Sequence, residues 1–235
     1  MLKVEGINFA HGLIQVLFDA GLEVKEGECV ALLGSNGAGK TTLLKTLSGI
    51  LKASSGTVLF QNTHIEKHKA STRIKAGLIQ VPEGGKIFPY MTVWENLMMG
   101  ASGPKHAWKI RHVTAERVGK LFPILKDRKN QQASLLSGGE RQMLVIGRGM
   151  MALPKLMLVD EPSLGLSPKM LLEIFNTLKV LHEEGVSILI SEQNIQHALR
   201  IANRGYVLEN GRVVMADSSQ KLLNSPYIRQ AYLGL

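Results

Sequence analysis

The sequence predicts an α/β protein with a mostly parallel sheet flanked by helices, an N-terminal antiparallel β portion and a helical lobe. Short apolar runs bounded by turn residues, at 29–33, 156–159 and 186–190, alternate with longer helical patterns such as residues 167–185. This alternation is typical of buried parallel strands that are joined by crossover helices. Residues 2–24 instead alternate apolar and polar side chains, which indicates antiparallel strands.

Two further strands and one helical segment complete the predicted architecture. Residues 56–60, after a Ser-rich turn, and residues 77–81 are expected to be strands. From about residue 89 to residue 152 the pattern is predominantly helical. We therefore expect one domain over residues 1–235, with a helical subdomain at about 89–152.

Composition limits the class of protein. With 235 residues and 45% hydrophobic content, the chain can bury one substantial core. No stretch approaches the roughly 20 apolar residues of a membrane span, and the beginning MLKVEGINFA predicts a strand rather than a signal peptide. The single cysteine, Cys29, lies in an apolar run and is expected to be a buried packing residue in a reducing cytoplasm.

The net charge of +9 is compatible with nucleic acid or an anionic membrane surface as a partner. Lys and Arg are scattered through the chain, however, apart from mixed stretches such as KIRHVTAERVGK and KDRKN. We therefore expect a basic, solvated surface near acidic lipid head groups, and no nucleic-acid partner.

A phosphate-binding loop is the first functional motif. The string GSNGAGKTT follows the apolar run 29–33 and leads into a helical pattern, which is the context of a genuine G-x-x-x-x-G-K-[ST] loop. Its glycines let successive backbone N–H groups point inward and form an anion site at a helix N-terminus. Lys40 is expected to neutralise the β and γ phosphates of ATP, Thr41 to bind Mg²⁺ and Thr42 to support the α phosphate. The predicted nucleotide-binding residues of the loop are Gly34, Ser35, Asn36, Gly37, Ala38, Gly39, Lys40, Thr41 and Thr42.

Two adjacent carboxylates form the second motif. The apolar run 156–159 delivers Asp160 and Glu161 at its carboxyl end, where open α/β sheets place their ligands. Asp160 is suited to help hold Mg²⁺, and Glu161 is suited to polarise the water that attacks the γ phosphate. Such a pair is more often a solvated turn, but the preceding phosphate loop favours the catalytic interpretation.

The third motif is SGGE at residues 137–140, which is followed by an amphipathic helical pattern. Ser137, Gly138 and Gly139 are expected at the N-terminus of this helix, where N–H groups and the helix dipole favour an anion. Taken alone, Ser-Gly-Gly is also a common helix-capping loop. Its position between the phosphate loop and the paired carboxylates favours a second anion site.

In this order and spacing, the three motifs resemble those of ATP-binding cassette (ABC) ATPases, which implies an ABC-type P-loop ATPase core. In that family the SGGE segment contacts the γ phosphate held by the opposite subunit. The resemblance therefore implies that Ser137, Gly138, Gly139 and Glu140 bind nucleotide across a dimer. It covers essentially the whole chain. The stretches VPEGGKIFPYMTVWENLMMG, DEPSLGLSP, SEQN and the terminal AYLG are similar to the LivF-type ATP-binding subunit of branched-chain amino acid importers.

Several positions depart from the commonest pattern of that family, including Ser167, which stands where many relatives carry Asp. Glu83 stands where many relatives have a glutamine that ligates Mg²⁺ or senses the γ phosphate, and LivF-like proteins often share this glutamate. Gln193 replaces the usual switch histidine and can donate a hydrogen bond to the γ phosphate but cannot carry a proton, so Glu161 is expected to bear more of the catalysis. His11 matches the aromatic residue that stacks on adenine, although Phe9 is a nearby competitor and a histidine beside a turn is often a surface residue.

The resemblance implies an ATP-hydrolysing subunit that energises uptake of branched-chain amino acids at the cytoplasmic face of the membrane. Its implied partners are transmembrane permease subunits bound through a coupling groove near Phe88, Pro89 and Tyr90, a second ABC ATPase subunit, and indirectly an extracytoplasmic solute-binding protein. The pair of ATPases can be a homodimer or a heterodimer.

Two alternatives stay open at this point. One is the ATPase subunit of another small-solute ABC importer, for urea, amides or other amino acids. The other is a soluble ABC ATPase that acts on nucleic acid or ribosomes, which usually needs tandem cassettes or long inserted coils that this sequence lacks.

Overall fold

Two sheets and a series of helices make up residues 1–233, the part of the chain that this computed structural model describes. Gly234, the last residue of the AYLG stretch, and Leu235 lie outside the described residues. The strands are β1 Leu2–His11, β2 Ile14–Val24, β3 Cys29–Leu33, β4 Ser55–Phe60, β5 Thr63–His64, β6 Leu78–Val81, β7 Leu156–Asp160, β8 Ser187–Glu192, β9 Arg204–Glu209 and β10 Arg212–Ser218. The α-helices are α1 Lys40–Ser48, α2 Ala70–Ala76, α3 Val93–Ala101, α4 Lys105–Lys109, α5 Arg111–Leu121, α6 Pro123–Asp127, α7 Gly138–Met151, α8 Pro168–Glu183, α9 Ile195–Ile201, α10 Ser219–Asn224 and α11 Pro226–Ile228. A 3₁₀ turn at Ala133–Leu135 and a π-helical turn at Arg229–Leu233 complete the elements.

The larger sheet has the strand order β10-β9-β3-β8-β7-β6, and all neighbours except β9 and β10 are parallel. Strands β3, β7 and β8 are buried along their whole length, which explains why their sequences are apolar runs rather than alternating patterns. Alternate residues of β3 face two hydrophobic cores. One core is shared with α7, α8 and α9, and the other is shared with α1 and the second sheet. The predicted α/β fold class is confirmed.

The smaller sheet is antiparallel, with the order β2-β1-β4-β5. In β1, Leu2 pairs with Val24 of β2 on one side and with Phe60 of β4 on the other. All three side chains are buried, whereas the next residue of β1, Lys3, faces solvent. The alternation of residues 2–24 therefore reflects one face on the core and one in water, and the predicted antiparallel portion is confirmed.

Cys29 occupies the first position of β3 and is fully buried. Burial raises the pKa of its thiol to about 12, because the charged thiolate would lose its hydration. The residue is thus a packing residue, as expected from the apolar run around it.

The β9–β10 hairpin at residues 204–218 is not among the strands expected from the sequence. Asn210 and Gly211 form its turn, with φ of 46° and 76°. An Asn-Gly pair between two strands is a strong hairpin signal, because both positions take positive φ. At Gly211 a Cβ atom would also lie 1.9 Å from the carbonyl oxygen of Val16, so the hairpin packs closely on β2. Strand β10 is only partly buried, and its weak apolar pattern concealed the hairpin.

Helices α3 to α7 lie within residues 93–151. Helix α3 begins with a capping box, in which Thr92 Oγ1 accepts from the N–H of Glu95 (3.1 Å) and Glu95 Oε2 accepts from the N–H of Thr92 (2.8 Å). It packs closely on α7, because a Cβ atom at Gly100 would lie 2.0 Å from the carbonyl oxygen of Arg148. Within residues 1–233, none of the helices combines the length and the apolar character that a bilayer span requires.

A buried arginine closes the C-terminal end of α1. The guanidinium of Arg73 donates hydrogen bonds to the carbonyl oxygens of Thr46 (2.9 Å) and Leu47 (2.6 Å) in the last turn of that helix. It also donates to the carbonyl oxygens of Glu66 (3.2 Å) and His68 (3.1 Å). The last carbonyl groups of a helix have no partner within the helix, and a cation there suits the helix dipole. Arg73 therefore anchors the helix that follows the phosphate loop.

Replacing Arg73 with methionine should lower the free energy of unfolding by about 2–3 kcal/mol, because buried carbonyl oxygens lose a charged donor that water cannot replace. Urea unfolding followed by circular dichroism measures this change. Lys75→Met provides the matched control, since Lys75 lies on the same helix and is exposed. The control should change stability by less than about 0.5 kcal/mol, and equal stability of the two variants would contradict the anchoring role.

Candidate functional site

The carboxyl ends of three neighbouring strands bring the first two motifs together. Strand β3 runs into the phosphate loop, β7 ends at Asp160, and β8 ends at Glu192, directly before Gln193. The parallel register sets Asp160 opposite Ser191 and Leu33 opposite Glu192, so the three strands end at the same level. Ligands of open α/β sheets bind beyond this edge.

The phosphate loop requires glycine at two positions for different reasons. Gly39, the residue before α1, has φ of 106°, a left-handed conformation that other residues rarely adopt. At Gly34 a Cβ atom would lie 2.4 Å from the carbonyl oxygen of Leu208 in β9, so a side chain does not fit. The loop therefore packs tightly against β9 and leads directly into the N-terminus of α1, which favours an anion.

Lys40 is the first residue of α1 and is only 4% exposed. Its ammonium group donates hydrogen bonds to the carbonyl oxygens of Gly34 (2.7 Å) and Ser35 (2.9 Å). It also forms an ion pair with Glu161, with 3.0 Å between Nζ and Oε1. The residues predicted to bind phosphate and to activate water are thus in direct contact. A phosphate that binds Lys40 must compete with this carboxylate.

Asp160 is fully buried and carries one unsatisfied oxygen. Its Oδ1 accepts hydrogen bonds from the hydroxyl groups of Ser191 (2.6 Å) and Thr41 (3.1 Å), whereas Oδ2 has no partner among the described residues. Burial raises the pKa of the Asp160 carboxyl, and the negative charges of Glu83 and Glu161 raise it further. A nearby cation would reverse this effect and satisfy the free oxygen.

The oxygen atoms of Thr41, Glu83 and Asp160 suit Mg²⁺, a hard cation that takes oxygen ligands and keeps several waters. Glu83 and Thr41 line the same cavity, and Thr41 is hydrogen-bonded to Asp160. Within residues 1–233, no three His, Cys, Asp or Glu side chains form a ready-made metal cage. The donor set fits a cation that is shared with phosphate oxygens and water rather than one enclosed by protein.

Glu161 is held in an unusual backbone conformation, with φ of 40°. Its N–H donates to the carbonyl oxygen (3.0 Å) and the hydroxyl group (3.2 Å) of Ser191 in β8. A left-handed conformation at such a residue costs on the order of 1–3 kcal/mol and persists only where the surroundings impose it. Strand β8 therefore fixes the backbone of Glu161, and the carboxylate points toward Lys40.

A cavity of about 460 Å³ opens beside the phosphate loop. The ring of His11 meets the ring of Phe9 edge-on, with centroids 4.7 Å apart. Phe9 is buried and His11 is exposed, so His11 presents the accessible ring at this cavity. Ala38 is buried in the loop. The lining residues are His11, Val16, Asn36, Gly37, Gly39, Lys40, Thr41, Thr42, Glu83, Glu161 and Leu164.

A second cavity, of about 690 Å³, adjoins the first through Glu161 and Leu164. Gln193 is exposed and lines this second cavity together with Ser35. The amide of Gln193 is thus accessible in the space that Glu161 also reaches. The remaining lining residues are Ser163, Gly165, Asn194, Ile195, Gln196, Ala231 and Tyr232.

The SGGE segment lies elsewhere, at the beginning of α7. Ser137 and Glu140 form a capping box, in which Ser137 Oγ accepts from the N–H of Glu140 (3.4 Å) and Glu140 Oε2 accepts from the N–H of Ser137 (2.8 Å). Glu140 also pairs with Arg128, with 3.5 Å between Oε1 and Nη2. Among the described residues that line these two cavities, Ser137, Gly138, Gly139 and Glu140 do not appear. A single chain does not bring this segment to its own phosphate loop.

Sequence reasoning missed three polar residues beside the site: Ser163, Ser191 and Glu192. Ser191 binds both Asp160 and the backbone of Glu161, as described above. Glu192 is 1% exposed and accepts hydrogen bonds from the N–H (3.0 Å) and the hydroxyl group (2.7 Å) of Ser163. The available signal was the position of Ser191 and Glu192 at the end of an otherwise apolar, fully buried strand.

A third cavity, of about 360 Å³, lies between β6 and helices α3 and α7. Phe88 is 41% exposed and lines it, and the guanidinium of Arg148 lies 5.0 Å from the centre of the Phe88 ring. Tyr90 is 88% exposed. Of the three residues predicted to form the groove, Phe88 lines this cavity, whereas Pro89 and Tyr90 do not. Neither aromatic ring is packed inside the helical segment.

These features define a class of protein. A glycine-rich loop at a helix N-terminus, a buried lysine and carboxylates on the neighbouring parallel strand form a P-loop nucleotide-hydrolysing site. The chain belongs to the ABC transporter family, because the profile of that family matches residues 17–164. It is therefore a nucleotide-binding ABC ATPase.

Individual relatives match the whole chain. It is 46% identical over 235 residues to the high-affinity branched-chain amino acid transport ATP-binding protein BraG of Pseudomonas aeruginosa, and the match covers 100% of both chains. It is 32% identical over 237 residues to a probable branched-chain amino acid transport ATP-binding protein, LivF, of Archaeoglobus fulgidus, with 100% and 99% coverage. A solved ABC transporter cassette in its ADP conformation aligns with a TM-score of 0.86 and 26% identity, over 100% of this chain and 99% of that one.

Lys40→Ala should weaken ATP binding by about 2–5 kcal/mol, because it removes the buried cation from the phosphate site and leaves Glu161 without its partner. Titration with a fluorescent ATP analogue measures the affinity, and phosphate release measures turnover, which should fall below detection. Lys45→Ala on the same helix is the control and should bind ATP normally. Near-normal hydrolysis by the Lys40 variant would contradict the site assignment.

Proposed function

We propose that this chain is the ATP-binding and hydrolysing subunit of an importer for branched-chain amino acids, peripheral to the cytoplasmic face of the membrane. The similarity to the Pseudomonas relative carries this proposal, since that protein is named for branched-chain amino acid transport and matches over its full length. The motifs VPEGG, DEPSLGLSP and SEQN support the same substrate class.

Nucleotide is held in this proposal by the phosphate loop and α1. Lys40 and the N–H groups of the loop bind the β and γ phosphates, Thr42 supports the α phosphate, and His11 stacks on adenine. The exposure of His11 beside the cavity, with Phe9 buried behind it, supports this choice of ring.

The cation site proposed for Mg²⁺ consists of Thr41, Glu83 and Asp160. These residues would hold Mg²⁺, which would offset the negative charge of the phosphate groups. The unpartnered Oδ2 of Asp160 and the raised pKa of its carboxyl support a cation at this position. The hydroxyl of Thr41 donates its hydrogen to Oδ1 of Asp160, which leaves a lone pair of its oxygen available for the cation.

Hydrolysis is assigned to Glu161 and Gln193. Glu161 orients and polarises the water, and Gln193 donates a hydrogen bond to the γ phosphate without taking part in proton transfer. The ion pair between Lys40 and Glu161 links phosphate binding to the availability of the Glu161 carboxylate. Phosphate binding satisfies Lys40, so Glu161 is released to accept a hydrogen bond from water.

A second copy, or a related ABC subunit, completes the site in this proposal. Ser137, Gly138, Gly139 and Glu140 begin a helix of 14 residues and line neither cavity beside their own phosphate loop. They are therefore free to contact the γ phosphate bound by the partner, where the helix N-terminus favours an anion. Residues 1–235 are proposed as one ABC domain, with a helical subdomain at about 89–152 that carries this segment.

The partners proposed beyond the ATPase pair are permease subunits and, through them, an extracytoplasmic solute-binding protein. The permease contact is assigned to the groove around Phe88, with the exposed Tyr90 at its margin. A mainly apolar groove suits a short helix from the membrane subunits. No nucleic-acid partner is proposed.

Glu161→Gln should retain ATP binding but slow hydrolysis by about 10²–10⁴-fold, because an amide keeps the shape of the side chain and cannot accept a proton from water. The variant should accumulate as an ATP-bound dimer, which size-exclusion chromatography with light scattering detects. Glu26→Gln, at an exposed position, is the matched control and should hydrolyse ATP normally. A monomeric, fully active Glu161 variant would remove the residue from the catalytic pair.

A strain that lacks this chain should lose high-affinity uptake of leucine, isoleucine or valine, because the membrane subunits lose their energy source. Uptake of radiolabelled amino acids at submicromolar concentration measures the effect. The wild-type gene should restore uptake, and Glu161→Gln should not.

The same experiment separates the alternatives. Unchanged branched-chain uptake with loss of urea, amide or another amino acid uptake would overturn the substrate and leave the transport ATPase. Normal transport together with co-purification of the chain with ribosomes or DNA would overturn the importer assignment itself.

A further inference from the structure

Strand β8 ends in a buried acid that the proposed chemistry does not use. Glu192 is 1% exposed and follows Ile188 and Ile190 on the face of β8 that packs on the core shared with α7, α8 and α9. Residues two apart on a strand face the same side, so an apolar side chain is expected at this position. A buried carboxyl group is tolerated there only when hydrogen bonds satisfy it.

Both carboxyl oxygens of Glu192 accept hydrogen bonds from Ser163. The N–H of Ser163 donates to Oε1 (3.0 Å), and the hydroxyl of Ser163 donates to Oε2 (2.7 Å). Glu192 therefore ties the loop that links β7 to α8 to the end of β8.

The contact between Glu192 and Ser163 lies close in sequence to both residues assigned to hydrolysis, Glu161 and Gln193. Ser163 comes two residues after Glu161, whose left-handed backbone has to be imposed by its surroundings. Glu192 immediately precedes Gln193. Ser163, Glu161 and Gln193 line the same cavity. Ser191 holds the N–H of Glu161, and Ser163 holds the chain that follows it. If Ser163 were released, this second attachment would be lost and the Glu161 carboxylate could shift relative to Gln193.

We propose that Glu192 is a positioning residue for ATP hydrolysis, which holds Ser163 so that Glu161 and Gln193 face the γ phosphate together. Glu192 touches no substrate in this role. The inference rests on the proposed functions of Glu161 and Gln193.

The surroundings of Glu192 disfavour its negative charge, so its role depends on its hydrogen bonds rather than on that charge. Burial raises the pKa of its carboxyl to about 7, and the negative charge of Glu161 contributes to the increase. The ammonium group of Lys40 is paired with Glu161, and Oδ1 of Asp160 accepts from two hydroxyl groups. A neutral amide can replace the carboxyl, since a glutamine accepts from the N–H of Ser163 and donates to its hydroxyl oxygen.

The test compares Glu192→Ala and Glu192→Gln in the full-length purified chain. Alanine removes both hydrogen bonds to Ser163, so kcat for ATP should fall by roughly 10- to 100-fold, while the Kd for a fluorescent ATP analogue changes by less than about twofold. Glutamine keeps both bonds and should restore kcat to within about threefold of wild type. A residue that only maintained the fold would not separate turnover from binding in this way.

A second variant protects the test against misfolding. Ser163→Ala removes only the hydroxyl contact and should lower kcat by a smaller factor than Glu192→Ala. Because the two residues form one contact, the double alanine variant should be no slower than Glu192→Ala alone. Glu183→Ala, at an exposed position on α8, is the control and should keep wild-type kcat and Kd.

Several outcomes would overturn the proposal. Wild-type kcat in Glu192→Ala, equal losses in Glu192→Ala and Glu192→Gln, or, where Glu192→Ala does not fold, unchanged kcat in Ser163→Ala would each exclude this role. If Glu161→Gln is inactive while Glu192→Ala retains wild-type turnover, only this inference fails. If Glu161→Gln retains full activity, the proposed catalytic assignment fails first.

Discussion

The level ending of β3, β7 and β8 is the constraint on which the site depends. These strands are buried along their length and hydrogen-bonded to neighbours on both sides, so none can shift without breaking a ladder. Their register places Thr41 and Asp160, which are 119 positions apart in sequence, within 3.1 Å of each other. The apolar composition of the strands thus determines the geometry of the polar groups beyond their ends.

Those polar groups largely satisfy one another. Lys40 has two carbonyl oxygens and Glu161 as partners, and Oδ1 of Asp160 has two hydroxyl groups. A buried charge without such partners would cost several kcal/mol, so these contacts allow the site to fold as a unit. Oδ2 of Asp160 has no hydrogen-bond partner among the described residues, and this unsatisfied oxygen is one reason for proposing a cation here.

The sequence allowed the fold class and the position of the phosphate loop and paired carboxylates to be predicted, because each follows from local patterns. Apolar runs identify buried strands, and Gly34 to Thr42 have a spacing that few other structures require. The Asn210-Gly211 pair is typical of a hairpin turn. The β9–β10 hairpin was nevertheless not predicted, because strand β10 lacks a strong apolar pattern. Contacts such as the ion pair of Lys40 with Glu161 depend on strand register, which local patterns do not encode.

Helix α7 connects the SGGE segment, which is proposed to contact a second ATPase, with the groove that Phe88 lines. Its N-terminus is the SGGE segment, and about two to three turns later Val145, Arg148 and Gly149 form a wall of the groove that Phe88 lines. A helix of 14 residues spans about 20 Å, and α7 is buried along most of its length, so it moves as a rigid rod. A force applied to Ser137 by nucleotide on a partner would therefore displace the groove. The same close packing that makes Gly100 necessary against Arg148 would carry α3 along with it, so that contact between two ATPases is transmitted to the surface where a membrane subunit is proposed to bind.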